Sequence, residues 1–112
     1  MGEARLDVPY GALDLLVLKT LSTLGAMHGF GIARRIEQMC AGLLQLNQGT
    51  LYPALVRLEQ EGFIKSKWGA SENGRRARFY SLTRRGGRRL RADLDEWVRV
   101  TDLLAAALGV TR

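Results

Sequence analysis

The residues of this 112-residue chain best suited to chemistry are its cations. Between Arg75 and Arg91 stand eight arginines and no carboxylate, while acids gather at Glu59, Glu61 and over 93–96. Guanidinium groups at that density suit a polyanion, because each phosphate they neutralise releases a counterion and their fork matches phosphate oxygens. The net charge of +6 and the pI near 10.2 point to the same partners, nucleic acid or an anionic surface. A solvated charge run is the competing reading. Cys40 is the only cysteine, which excludes an intrachain disulfide and a cysteine metal set. His28, the only histidine, is expected to hydrogen-bond locally in a turn. The sequence shows no Ser/His/Asp set, phosphate-binding glycine loop or paired carboxylates, so neither an enzyme nor a cofactor site is expected.

The elements that would position those cations centre on Asn47 to Gly62, NQGTLYPALVRLEQEG. Leu51, Leu55 and Leu58 recur at helical spacing and face a core. Half a turn away lie Gly49, Thr50, Pro53 and Arg57, a face of small and polar residues that lets a polar partner approach the backbone. Asn47 is a good cap, Pro53 belongs in or just beyond the first turn, and Gly62 is a usual C-terminal stop, so the helix begins near Gly49. Beyond Gly62 the period changes to two. Ile64 and Trp68 alternate with Lys65 and Lys67, then Arg78, Tyr80 and Leu82 alternate with Ala77 and Phe79. Between the two runs, ASENGR carries the Asn73-Gly74 hairpin signal. A short helix with a bare outer face, followed by a basic hairpin, is the layout of a winged helix-turn-helix reading DNA.

Three further segments complete a single small domain with one core. Residues 1–10 read as an N-terminal arm, 11–82 as the winged helix-turn-helix and 83–112 as a dimerisation helix. Within the domain, the first helix spans Gly11 to Leu24, with Leu13, Leu16, Val17, Leu21 and Leu24 as its stripe. Leu15 and Leu18 lie outside that stripe and are expected to meet a partner subunit. After a turn, AMHGFG, the second helix runs from Gly29 to Met39, and a short strand is possible over Leu44–Leu46. Thr83 caps the last helix, which runs to Leu108, and Gly86 and Gly87 are expected to fray its first turns. Leu90, Leu94, Trp97, Thr101, Leu104 and Leu108 are spaced 4, 3, 4, 3, 4, a heptad seam for a homodimer. The fold class expected is therefore mainly α with a small β-hairpin. The start of the sequence lacks a signal-peptide pattern, and the apolar run 13–24 is too short and too charged to span a bilayer, so a soluble, cytoplasmic protein is expected.

The segments LDLLVLKTL, HGFGIARRI, NQGTLYPALVRLEQEGFIKSKWG and SENGRRARFYSLTRRG together resemble the PadR family of bacterial transcriptional regulators. The resemblance covers roughly residues 11 to 90, and its most specific part is GTLYPAL-x-RLE with the later Y-x-LT. It implies a winged-helix domain, a C-terminal dimerisation helix, and repression relieved by a small molecule, often aromatic. The single short C-terminal helix is similar to that of the smaller members.

Each candidate DNA contact has an alternative. Arg57 meets a phosphate or a guanine edge, or pairs with Glu61. Thr50 and Tyr52 offer hydroxyls to phosphate at the helix start, although the Tyr52 ring also suits inward packing. Gln48 reaches a base or phosphate, or points to solvent. Lys65, Lys67, Arg75, Arg76 and Arg78 form the wing set, with Arg84, Arg85, Arg88 and Arg89 behind them. Trp97 is either a packing anchor or one wall of a flat apolar slot for an aromatic effector, with Thr101 one turn on. The function expected is a homodimer on a palindromic operator in double-stranded DNA. A winged-helix protein-interaction module without DNA function is the alternative, which the concentration of cations on wing and helix disfavours.

Overall fold

The computed structural model describes residues 11–41, 43–44 and 46–110; the N-terminal arm lies outside them. In chain order the elements are α1 (Ala12–Leu24), β1 (Met27–His28), α2 (Gly29–Met39), α3 (Gln48–Gln60), β2 (Ile64–Ala70), β3 (Arg76–Leu82) and α4 (Arg84–Leu108). No helix among the described residues is long and apolar enough to cross a membrane.

The core forms around α1. Val17, Leu18 and Leu21 from α1, Ile32 and Ile36 from α2, Leu51, Leu55 and Leu58 from α3, Phe63, Ile64 and Tyr80 from the wing, and Leu90 from α4 are all buried together. Because α1 packs against α2, α3, α4 and β3, it is covered within the chain on more than one side. That corrects the expectation for Leu18, which is fully buried in this core, whereas Leu15 packs against it half-buried. Leu24, expected in the core stripe, is exposed instead. Leu90 also leaves the proposed seam, since its side chain completes the intrachain core. From Leu94 onward the large apolar residues of α4 are exposed, including Trp97 at 39% and Leu108 at 71%.

The wing is part of a three-stranded antiparallel sheet in the order β1-β3-β2. Its main register runs from Ile64↔Leu82 through Trp68↔Arg78 to Ala70↔Arg76. The third strand, β1, pairs Met27 with Tyr80 and His28 with Phe79 where the sequence suggests only a turn. Two residues are too few for alternation to be visible. For the strand expected over Leu44–Leu46, Leu44 shows a single backbone bridge, and Gln45 lies outside the described residues.

Capping fixes the helix ends. The Asn47 side chain accepts from the Thr50 N–H at 2.9 Å, so α3 starts at Gln48, and Pro53 falls just past the first turn. At its other end Gly62 takes φ +84°. Its N–H reaches Glu59 O and that of Phe63 reaches Leu58 O, both at 3.0 Å, which turns the chain directly into β2. His28 caps α2 by accepting from the Gly31 N–H at 3.0 Å. Thr83 caps α4, accepting from the Gly86 N–H at 3.0 Å while donating to Gly62 O at 2.7 Å.

The start of α4 is therefore locked rather than frayed. Gly86 is buried where the helix crosses the Phe63 carbonyl, and a Cβ there would lie 2.0 Å from that oxygen. The low helix propensity of glycine is offset by this close approach, which a larger residue forbids.

Candidate nucleic-acid interface

The outer face of α3 follows from its periodicity. At about 100° per residue, the buried Leu51, Ala54, Leu55 and Leu58 fix the inward direction. Gly49, Pro53, Val56 and Gln60 then point directly outward. Only Val56 among these is a large apolar side chain, and it is exposed. A partner can reach the backbone at Gly49 and Pro53 with little steric obstruction.

Beside that face, α3 and the wing enclose an open concavity of about 410 Å³. Gln48 and Tyr52 line it from α3, and Arg75, Arg76 and Arg78 from the wing. Five of the nine DNA-contact candidates are thereby brought to one surface. Thr50 is exposed on the first turn of α3 but is not part of the concavity. Lys65 and Lys67 are exposed on the opposite side of β2 from Ser66 and Trp68, as strand alternation requires. The wing set thus splits between two faces.

Trp68, which in the sequence marks only the alternation of the strand, organises the cationic wall. Its ring is 52% exposed, with the Arg76 and Arg78 guanidinium carbons 4.7 and 4.8 Å from the ring centroid. Cation–π contact of this kind is worth about 0.5–1 kcal/mol per pair at exposed sites. Arg78 also donates to Ser66 Oγ at 2.9 Å, and that hydroxyl donates to Glu59 on α3 at 2.7 Å. Helix α3 and the wing are braced together by this chain of bonds. Phe30, 61% exposed at the start of α2, lines the same concavity.

A second brace joins Tyr52 to Tyr80. Burial pushes the Tyr80 phenol up to about 12, helped by its hydrogen bond to Tyr52 and opposed by the nearby Arg78 charge. Tyr52 is half exposed, so it contacts the wing with its hydroxyl and still faces the concavity.

The sequence places Arg57 on the outer face, or paired with Glu61; in the fold it stands on the flank of that face, and its guanidinium donates to the carboxylate of Asp14 on α1. Asp14 is buried and Arg57 is half exposed. The signal available in the sequence is a lone acid within the apolar run of the first helix, but the partner lies 43 residues away.

Behind the wing, the basic start of α4 is partly committed to the fold. Arg85 and Arg89 lie 5.0 and 4.8 Å over the Phe63 ring, and Arg89 pairs with Asp93 at 3.0 Å. Arg84 and Arg88 are exposed. Farther along, Trp97 lines a second recess of about 250 Å³ with Arg89, Asp93, Glu96 and Val100 from α4 and Gly11 before α1. The Thr101 hydroxyl donates to the Trp97 carbonyl within the helix, so its proton is engaged locally.

This architecture is shared with known regulators. A transcriptional regulator from Clostridium thermocellum superposes with a TM-score of 0.80 at 29% identity, covering 93% of this chain and 97% of that one. A PadR family regulator from Clostridium difficile gives 0.76, also at 29%, over 88% and 99%. The fold is shared as well by Bacillus subtilis PadR, determined in complex with operator DNA. Its TM-score is 0.67 at 24% identity over 77% of this chain and 47% of that one. The transcriptional regulator PadR-like family pattern matches residues 17–92, which take in α2, α3, the whole sheet and the locked start of α4. With its winged helix-turn-helix and its C-terminal helix, the chain belongs to the PadR-like family of transcriptional regulators.

Proposed function

We propose that the chain acts as a homodimeric, sequence-specific repressor that reads a palindromic operator. The observation that carries this reading is the single concave surface on which Gln48, Tyr52, Arg75, Arg76 and Arg78 converge beside the bare face of α3. In each subunit α3 enters a major groove, where Gly49 and Pro53 allow close approach, and the wing lies on the flanking backbone. The operator complex of the Bacillus subtilis relative supports a DNA partner.

Dimerisation uses the outer length of α4. Leu94, Trp97, Leu104 and Leu108 repeat at heptad spacing and are exposed, as a helix awaiting a second copy would leave them. Trp97 at that seam supports an aromatic effector stacking between the two subunits. Such a ligand shifts DNA affinity only by its preference for one spacing of the recognition helices over another.

Sedimentation of the purified protein, followed by selection of genomic fragments on it, tests the reading. A dimer at micromolar concentration that enriches a small set of fragments is expected. A monomer, or fragments bound without preference, refutes it. For the effector, planar aromatic dyes should quench tryptophan emission in wild type and bind less tightly to Trp97→Leu. Equal binding by that variant would leave Trp97 a packing residue.

A further inference from the structure

We infer that the Asp14–Arg57 ion pair is the positioning contact that fixes the roll of α3 about its own axis. On this reading Arg57 governs DNA recognition through Asp14 rather than by touching DNA. The inference rests on the operator-reading function proposed above.

The geometry of α3 supplies the argument. Its inner face is held by leucines, and apolar packing is non-directional, so a leucine stripe sets the depth of a helix more firmly than its roll. Directional contacts lie on the two flanks. On one flank Tyr52 and Glu59, seven residues apart and therefore nearly superposed along the helix, bond to Tyr80 and Ser66 of the sheet. Arg57 lies about 140° from Tyr52, on the other flank, and bonds to Asp14 of α1. The outward residues Gly49, Pro53, Val56 and Gln60 fall between these flanks. A helix tied on both sides of its outer face presents that face at one angle, and loss of either tie frees it to turn.

Asp14 is suited to the task. It is the only buried carboxylate among the described residues. A buried carboxylate without a partner is strongly destabilising, so the pair specifies one arrangement of α1 against α3. Since α1 also packs on α4, the tie links the helix proposed for dimerisation to the helix proposed for reading.

The test compares Asp14→Asn, Arg57→Gln and the double variant with wild type. Binding is measured on a genomic fragment selected by the protein and on a scrambled duplex, across a salt series. Each single change should lower the fragment-over-scrambled preference by tenfold or more, and the double variant should lose no more than the worse single. Affinity for scrambled duplex and the salt slope should not change. A direct phosphate contact gives another pattern: Arg57→Gln would flatten the slope by about 1.8 per dimer while Asp14→Asn keeps its preference, and that result overturns the inference. Should Asp14→Asn fail to fold, Arg57→Gln decides alone by the same contrast of preference against slope. Amide exchange on the free protein separates this idea from the operator reading. The tie predicts faster exchange in α3 for Arg57→Gln whatever the DNA result, and unchanged exchange refutes it.

Discussion

The junction of wing and last helix yields a prediction whose sign reverses between neighbouring residues. At Gly86 an added Cβ would sit 2.0 Å from the Phe63 carbonyl oxygen and 2.8 Å from Leu82 Cδ1. Ordinary contact begins near 3.4 Å, so α4 would have to withdraw by about 1.4 Å. That movement strains the Thr83 N–H bond to the same carbonyl, now 3.2 Å, and the Thr83 hydroxyl bond to Gly62. Overpacking of a core site costs about 1–3 kcal/mol, which exceeds the gain of up to about 1 kcal/mol from alanine's helix propensity. At Gly87 the nearest atoms to an added Cβ are the ends of Arg91 and Leu82, both at 3.9 Å, so only the propensity term operates. Gly86→Ala should therefore destabilise and Gly87→Ala stabilise, the latter by up to about 1 kcal/mol. Urea unfolding with matched m-values measures both. A neutral or stabilised Gly86→Ala would refute the packing argument, since the helix would then have to accommodate the methyl without loss.

Other perturbations follow from the same contacts. Thr83→Ala should cost about 1–2 kcal/mol in a denaturant titration, while Thr83→Ser should retain most of the stability because its hydroxyl can still cap Gly86. The Tyr80 phenol ionises near 12 in the fold against 10.0 ordinarily, so its contribution to stability is intact below pH 10 and lost as pH rises toward 12. A phenolate absorbance titration should show the Tyr80 component late, and Tyr52→Phe should bring that component earlier. Trp68→Leu should weaken DNA binding by up to about 1–2 kcal/mol, because Arg76 and Arg78 would lose the ring that pre-orders them. Fluorescence anisotropy on a selected fragment would show this, and unchanged affinity would rule out a role for the ring in binding.

Helix and wing positions were legible in the sequence because their signals are local. Asn47, Thr83 and Gly62 mark ends through the chemistry of three or four adjacent residues, and the change of period after Gly62 announces the hairpin. What escaped depends on residues far apart. Leu18 falls outside an ideal stripe, yet the wing and three helices surround α1 and bury it. Arg57 lies on the flank of α3 by its spacing, but nothing local in the sequence announces Asp14, 43 residues away, as its partner. Gly86 carries a low helix propensity, and only the folded path of Phe63 shows why glycine is required there. On the proposed binding surface, the cations were evident from composition. The division of Lys65 and Lys67 from Arg76 and Arg78, and the ring of Trp68 between the latter two, required the strand register.

In the function proposed above, α3 and the wing of two subunits address one DNA duplex symmetrically. Hydroxyl-radical footprinting of a fragment selected by the protein tests it most directly. Two equivalent protected patches are expected on one face of the helix, their centres separated by a whole number of turns of about 10–10.5 base pairs. Arg75→Gln with Arg76→Gln should erase the outer edges of both patches together. A single asymmetric patch, or protection that is uniform along the fragment, would contradict it.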